Sequence, residues 1–374
     1  MPSVLLVTQD LERAGAQRQC VELALGLARR PGWRVEVAAL ESEGPLAAEL
    51  ADAGIAVHPV PRRWRWDLSP ARALAGLTRG GRFDILHTFL FLPNFYGRMS
   101  RLRHRPPLVI SSLRSTGIEG LPRYVAEVLM APLCDRIIAN SDAGRRDLVR
   151  RGVAARRITV VRNGLDLDRF AAVPPLDGRA PGRPCIGMVA QMEPRKDHGS
   201  LLAAFARVLR THPRGRLVLA GDGSLRPRIE AAVAALGLGA SVELPGTVER
   251  AETVYASLDL YVQASASQEG TSNSIVEAMA SSRPVVATDI GGNAETVVHG
   301  TTGLVVPPRD AGALAASMSA LLDEPARARD LGLAGRERAL RMFHRVRMVD
   351  ETVRVYETAL VPASRGRAGA ARSA

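Results

Sequence analysis

Two carboxylates eight positions apart, Glu269 and Glu277, flank a run of small residues, Gly270-Thr271-Ser272-Asn273-Ser274. Ser, Thr and Asn ahead of the apolar residues Ile275, Val276, Ala278 and Met279 read as the start of a helix. A helix start offers free backbone N–H groups and the positive end of the dipole, which suit a phosphate, while carboxylates suit sugar hydroxyls. On a helix, Glu277 is expected about two turns from Glu269, near enough for both to touch one sugar nucleotide. The competing reading is a capping box, in which Ser274 and Glu277 satisfy the helix end and no ligand is involved.

A third group draws attention by its rarity. Lys196 is the only lysine among 50 basic residues, the other 49 being arginine. Arginine bias can follow from codon usage, but a lone lysine marks a position where a compact, rotatable ammonium is wanted in place of a planar guanidinium.

The elements that must position these groups form a repeated pattern. Short β-rich runs (Val4–Thr8, Arg34–Leu40, Ala56–Val60, Asp84–His87, Leu108–Ser112, Arg136–Asn140, Ile158–Val161) alternate with helical stretches such as Gly15–Arg30. After a Pro- and Gly-rich segment at 171–184 the alternation starts afresh: Ile186–Ala190, Arg216–Ala220, Ser241–Leu244, Leu258–Gln263 and Pro284–Thr288. This is an α/β chain of two Rossmann-like, doubly wound domains, 1–170 and 185–343, joined by a linker at 171–184. A helix at 344–361 is expected to return toward the first domain, and 362–374 reads as a disordered tail. Ligands of open α/β sheets bind beyond the carboxyl ends of the strands, so two such domains imply a central cleft. His87, Lys196, Gly221-Asp222-Gly223 and Glu269 each follow a predicted strand.

Composition narrows the classes. At 374 residues with 46% hydrophobic and 24% charged positions, the chain is a globular protein large enough for two cores. No apolar run approaches the roughly 20 residues that span a bilayer, so a cytoplasmic location is expected. Cys20, Cys134 and Cys185 lack metal-ligand spacing and read as reduced core residues. The charge of +12 is uneven: residues 1–175 hold 26 Arg against 17 acids, and the remainder 24 basic against 21 acidic residues. Arg62, Arg63, Arg65, Arg98, Arg101, Arg103 and Arg105 interleave with Trp64, Trp66, Phe89, Phe91, Phe95 and Tyr96. That mixture suits peripheral docking on an anionic membrane surface, with an Arg-rich solvated face as the plainer reading.

In order and spacing, the motifs resemble glycosyltransferase family 4, the retaining enzymes of the GT-B architecture, over nearly the whole chain. They are Arg162-Asn163-Gly164-Leu165-Asp166, Pro194-Arg195-Lys196-Asp197-His198, Gly221-Asp222-Gly223, Leu244-Pro245-Gly246-Thr247-Val248, Glu269-Gly270 through Glu277-Ala278-Met279-Ala280, and Gly291-Gly292-Asn293-Ala294-Glu295. The resemblance implies transfer of a sugar from a nucleotide-sugar donor, a UDP-sugar in the first instance, onto the hydroxyl of a glycan or lipid-linked acceptor. It places Glu277 on the ribose diol, Glu269 by the donor sugar, and Lys196 with Arg195 on the diphosphate. Gly221, Gly223, Gly246, Thr247, Val248, Gly270, Thr271, Ser272 and Asn273 line the donor, His87 stands near the sugar as a catalytic candidate, and Gly15, Ala16 and Gln17 form a loop of the first domain. No metal or other cofactor is implied, and Asp166-Leu167-Asp168 reads as part of a turn and not as a metal clamp.

The chain departs from the family pattern at three places. Ala14-Gly15-Ala16-Gln17 stands where Gly-Gly-x-Glu is usual, Gln191 where many members carry Arg, and Ser282 where Gly is common. Two other functions fit part of the pattern. A non-hydrolysing nucleotide-sugar epimerase shares the two-domain architecture, and a non-catalytic basic binder of membrane or nucleic acid accounts for the charge. The binder leaves Lys196, Glu269 and Glu277 unexplained, so nucleic acid is not an expected partner.

Overall fold

The computed structural model describes residues 1–41, 44–64, 67–79, 82–102, 108–114, 121–176, 183–267 and 269–370, with the backbone alone for 121–122, 124 and 361–370. It divides into two compact units, Met1–Leu165 with Arg345–Ala374, and Asp166–His344.

The first unit is built on seven strands: β1 (Ser3–Thr8), β2 (Arg34–Ala39), β3 (Val57–Pro59), β4 (Ile85–Phe89), β5 (Leu108–Leu113), β6 (Arg136–Ala139) and β7 (Ile158–Val160). They lie in the order β3-β2-β1-β4-β5-β6-β7, and every pairing is parallel. All six residues of β1 are buried, as expected for a strand with helices on both faces. The sheet reverses its winding between β1 and β4. The helix Arg345–Ala370 closes this unit: Arg345 Nη1 donates to Glu22 Oε2 at 3.0 Å, and Gly164 packs so closely under Met348 that a Cβ there would come within 2.4 Å of its Cβ. That helix runs past the end at 361 read from the sequence, through Pro362 to Ala370, where a disordered tail is expected from the sequence.

The second unit carries β8 (Cys185–Val189), β9 (Arg216–Ala220), β10 (Val242–Gly246), β11 (Leu260–Gln263), β12 (Val285–Thr288) and β13 (Leu304–Val306), again all parallel, in the order β10-β9-β8-β11-β12-β13. Its core joins Ile186, Met188, Leu217, Leu219, Leu260, Val262 and Val286 to Leu201, Phe205 and Leu314 from the covering helices. Here the winding reverses between β8 and β11, so the loops leaving these two strands open side by side at the carboxyl edge, where such sheets take ligands. Lys196 lies on the first of these loops and Glu269 on the second.

Candidate active site

The β8 loop ends in a single 3-10 turn, Pro194–Lys196, followed by Asp197 in the left-handed region at φ +50°. Asp tolerates that conformation, and its side chain caps the helix His198–Val208, accepting from Ser200 N at 3.2 Å and Ser200 Oγ at 2.7 Å. The carbonyl of Arg195 takes the backbone N–H of Ala266 at 2.8 Å, which ties this loop to the one after β11. The cap and the tie hold the Lys196 side chain in a buried position, where its ammonium donates to Glu269 Oε1.

Glu269 is the end of a one-way chain of hydrogen bonds. Tyr261 Oη and Ser274 Oγ donate to Gln263 Oε1 at 2.6 and 3.1 Å, Gln263 Nε2 donates to Ser265 Oγ at 2.8 Å, and Ser265 Oγ donates to Glu269 Oε1 at 2.8 Å. An ionised carboxylate only accepts, so the Ser265 hydroxyl and the Lys196 ammonium converge on one oxygen. Burial of Gln263, Ser265 and Glu269 makes this a pre-set arrangement whose members all have partners.

The helix Asn273–Ala280 starts beside this chain. Its N-cap is Ser272, whose side chain makes no capping bond and lies 3.1 Å from the Ser274 hydroxyl. Ser274 is inside the helix, and Glu277 Oε2 accepts from Tyr255 Oη at 2.8 Å, so the capping box between Ser274 and Glu277 does not form. Tyr255 also donates to the carbonyl of Ser274 at 3.2 Å, and burial together with the Glu277 charge holds its phenol protonated, well above the usual range. Glu269 precedes the helix by four residues, so the two-turn helical spacing read from the sequence is replaced by a loop and the helix's first turn.

Residues 13–169 match the family described as Glycosyltransferase Family 4, and residues 183–324 match Glycosyl transferases group 1. A D-inositol 3-phosphate glycosyltransferase of Kineococcus radiotolerans is 30% identical over 384 residues, 88% of this chain and 87% of the relative. The chain belongs to glycosyltransferase family 4. A second relative of the same description, from Nocardia farcinica, is 33% identical over 279 residues, 68% of this chain, and the matched segment spans 62% of that relative's length. Among solved structures, Anabaena HepE in complex with UDP superposes with a TM-score of 0.82 at 19% identity, covering 96% of this chain and 100% of HepE. Sucrose-phosphate synthase from Thermosynechococcus elongatus does so with 0.79 at 24% identity, covering 97% and 100%. The fold of this glycosyltransferase is GT-B.

The other positions expected from the sequence to bind the donor lie along the same sheet edge. Gly221 and Gly223 have φ of +138° and +155°, and a Cβ on Gly221 would meet the carbonyl oxygen of Ala190 at 2.0 Å. Only glycine lets the β9 loop lie this close to the β8 loop. Gly246 ends β10, with Thr247 exposed and Val248 half-buried after it; Gly270, Thr271 and Ser272 are buried, and Asn273 opens the helix. Arg195 is half-exposed and paired with Glu193 at 2.7 Å, with the exposed Gln191 accepting from it at 3.4 Å. Asp168 starts the short helix Asp168–Ala171, its N–H 3.4 Å from Asp166 Oδ1. Among the described residues no group of three or more His, Cys, Asp or Glu could hold a metal ion.

The catalytic candidate His87 is a buried residue in the middle of β4. It does not close its strand; β4 continues through Thr88 and Phe89, which puts the ring inside the first unit, 1% exposed. Nδ1 is 2.6 Å from Tyr356 Oη and Nε2 2.8 Å from Ser112 Oγ, while the ring stacks on Phe89. Burial, aided by the Arg114 charge, pushes its pKa well below 6.5, so it is a neutral ring with both nitrogens engaged. Gly15, Ala16 and Gln17 form the first turn of the helix Gly15–Ala28 and not a loop, and Gln17 Nε2 donates to Asp10 Oδ1 at 2.9 Å.

The basic and aromatic patch of the first unit is also redistributed. Arg98 is buried against Glu127 at 2.6 Å, Arg101 pairs with Asp135 and Arg62 with Glu41, and Phe89 and Tyr96 are core residues. Trp64 is exposed; Arg65, Trp66, Arg103 and Arg105 lie outside the described residues. Among the described residues no helix is long and apolar enough to cross a membrane.

Sequence reasoning missed Tyr255, Gln263, Ser265 and His198. The first three were legible only as polar residues in apolar surroundings. His198, 3% exposed beside Lys196, has no partner at Nδ1, and burial with the Lys196 charge lowers its pKa to about 4.

Proposed function

We propose that the chain transfers a glycosyl group from a UDP-sugar to a hydroxyl acceptor with retention at the anomeric carbon. The observation that carries this reading is the Lys196–Glu269 pair at the winding reversal of the second sheet, four residues ahead of a helix whose Glu277 is oriented by Tyr255. Glu277 would take the ribose diol, Lys196 the diphosphate, assisted by Arg195 and the N–H groups around Thr271 to Asn273, and Glu269 the sugar. Charge grows on the diphosphate as the sugar leaves, so an ammonium fixed beside it binds the transition state more strongly than the ground state. An ammonium 4 Å from a phosphate oxygen contributes roughly 4 kcal/mol at an effective dielectric near 20, before desolvation is subtracted. With the charge met in this way, transfer proceeds without a metal ion. The names of the relatives favour a small phosphorylated or glycan acceptor, and an acceptor held at an anionic membrane surface is consistent with the charge of the first half.

Calorimetric titration with UDP and with the intact donor tests the division of roles. Glu277→Ala should weaken UDP binding by roughly 2–4 kcal/mol, and Tyr255→Phe, which only unfastens Glu277, by about 1 kcal/mol. Glu269→Ala should spare UDP affinity and damage transfer. Equal losses of UDP affinity for Glu277→Ala and Glu269→Ala would defeat the assignment, and release of UDP from donor without an acceptor would favour the epimerase class.

A further inference from the structure

Among the described residues the first unit holds a cluster with surplus donors and no carboxylate to meet them. Arg114 follows β5 directly at the carboxyl edge of the sheet. Its Nη1 donates to Asn163 Oδ1 at 3.2 Å, its Nη2 lies 3.5 Å from Ser112 Oγ, its guanidinium stands 5.0 Å over the Phe89 ring, and its Nε has no partner. Among the described residues no carboxylate pairs with it. A guanidinium cannot lose its proton to escape burial, so an unpaired one is costly unless an anion completes it. Burial pulls its pKa down to about 10, the direction expected for a cation lacking its counter-charge.

The neighbouring hydrogen bonds point the same way. Tyr356 Oη, the His87 ring and Ser112 Oγ form a row with two contacts, at 2.6 and 2.8 Å. The row contains three hydrogens, one each from the phenol, the neutral ring and the hydroxyl, to fill two bonds. In either tautomer of His87 one donor is left over, and Arg114 can only add more. A cluster of this composition is completed by a group that accepts and does not donate.

We propose that Arg114 is the receptor for an oxyanion, a phosphate or a carboxylate, carried by the acceptor. This deepens the proposed function by giving the acceptor's chemical class, and it rests on the first unit taking the acceptor. Arg114 as a residue is partly exposed, while its Nε and the Ser112, Asn163 and His87 side chains behind it are buried.

The test uses the full chain with UDP at saturation, so that the diphosphate site is filled. Inorganic phosphate and, separately, acetate are titrated against chloride at matched ionic strength, read by thermal midpoint and by the His87 ring-proton resonance. Saturable binding of either oxyanion that moves both signals is expected, weakened roughly ten- to a hundredfold by Arg114→Gln and less by Arg114→Lys. Which oxyanion binds identifies the group. Responses to both that are indistinguishable from chloride, or equal affinities in wild type and Arg114→Gln, would overturn the inference. The His87 resonance in wild type decides the matter even if a variant fails to fold. Failure of UDP to bind would instead count against the proposed function, and the phosphate titration would still be scored without it.

Discussion

Replacing Lys196 should damage stability and turnover separately, and the structure indicates how to tell the two apart. Lys196→Met leaves Glu269 charged, 4% exposed, and supported by the Ser265 hydroxyl in place of an ammonium. Breaking a buried pair by removing one partner costs about 3–5 kcal/mol. For a unit of this size 1 kcal/mol moves the midpoint by about 2–4 °C, so a fall of roughly 6–20 °C is expected in the transition of the second unit. A turnover loss in that variant is ambiguous, because part of the protein is unfolded or the Glu269 loop has moved. The double variant Lys196→Met/Glu269→Gln removes both charges at similar volume, and its midpoint should return to within a few degrees of wild type, giving a coupling energy of about 2 kcal/mol or more. Turnover should not return. Because Glu269→Gln by itself damages transfer, that single variant is the reference, and if Lys196 meets the leaving diphosphate the double variant turns over roughly two orders of magnitude more slowly than it, about 2.7 kcal/mol of barrier. Calorimetry and a coupled assay for released UDP measure the two quantities on the same samples. A double variant that recovers the midpoint and turns over as fast as Glu269→Gln would make Lys196 a structural residue. A single variant whose midpoint drops by less than about 2 °C would make the pair no stronger than an exposed salt bridge.

Two further outcomes are expected. Ser282 sits at φ +56° just after the helix Asn273–Ala280, with Arg283 N donating to Ala278 O and Ser282 N to Met279 O, the pattern of a Schellman end. Ser282→Gly should therefore raise stability by about 1 kcal/mol, since it relieves the left-handed serine and removes a buried hydroxyl without a partner; an unchanged or lower midpoint would contradict this. His198 is neutral while folded and protonates more readily when unfolded, so its stabilisation is complete above pH 6.5 and is lost as pH falls toward about 4, a difference of about 3 kcal/mol. Denaturant titrations between pH 7 and 4.5 should show a shallower loss for His198→Phe than for wild type, with the remaining slope shared by His87; equal slopes would remove His198 from the account.

The sheets were legible because strands buried on both faces are written as unbroken apolar runs, and β1, β8, β9 and β12 fall within a residue of the runs that announce them. β13 escaped because Leu304–Val306 is three residues long and stops at two prolines. Lys196, Glu269 and Glu277 stood out for the opposite reason, as charges where the surroundings are small or apolar. What the sequence does not carry is who holds them. Gln263 and Ser265 alternate along a buried strand end, and Tyr255 is one polar tip in the helix Ala251–Ser257; each makes sense only when its partner, 4 to 22 positions away, is beside it. The position of His87 within its strand illustrates the converse case. The sequence places His87 at the end of its strand, yet Thr88 pairs with Ser111 and Phe89 with Ser112 of β5 and Phe89 is buried, so the strand goes on and takes the histidine with it. A carboxyl-edge position in such a sheet is therefore set by where pairing stops and not by where hydrophobicity stops. The same distinction brings Arg114 to the edge: pairing of β5 ends at Leu113, and the first side chain beyond it is a cation without an ion-pair partner among the described residues.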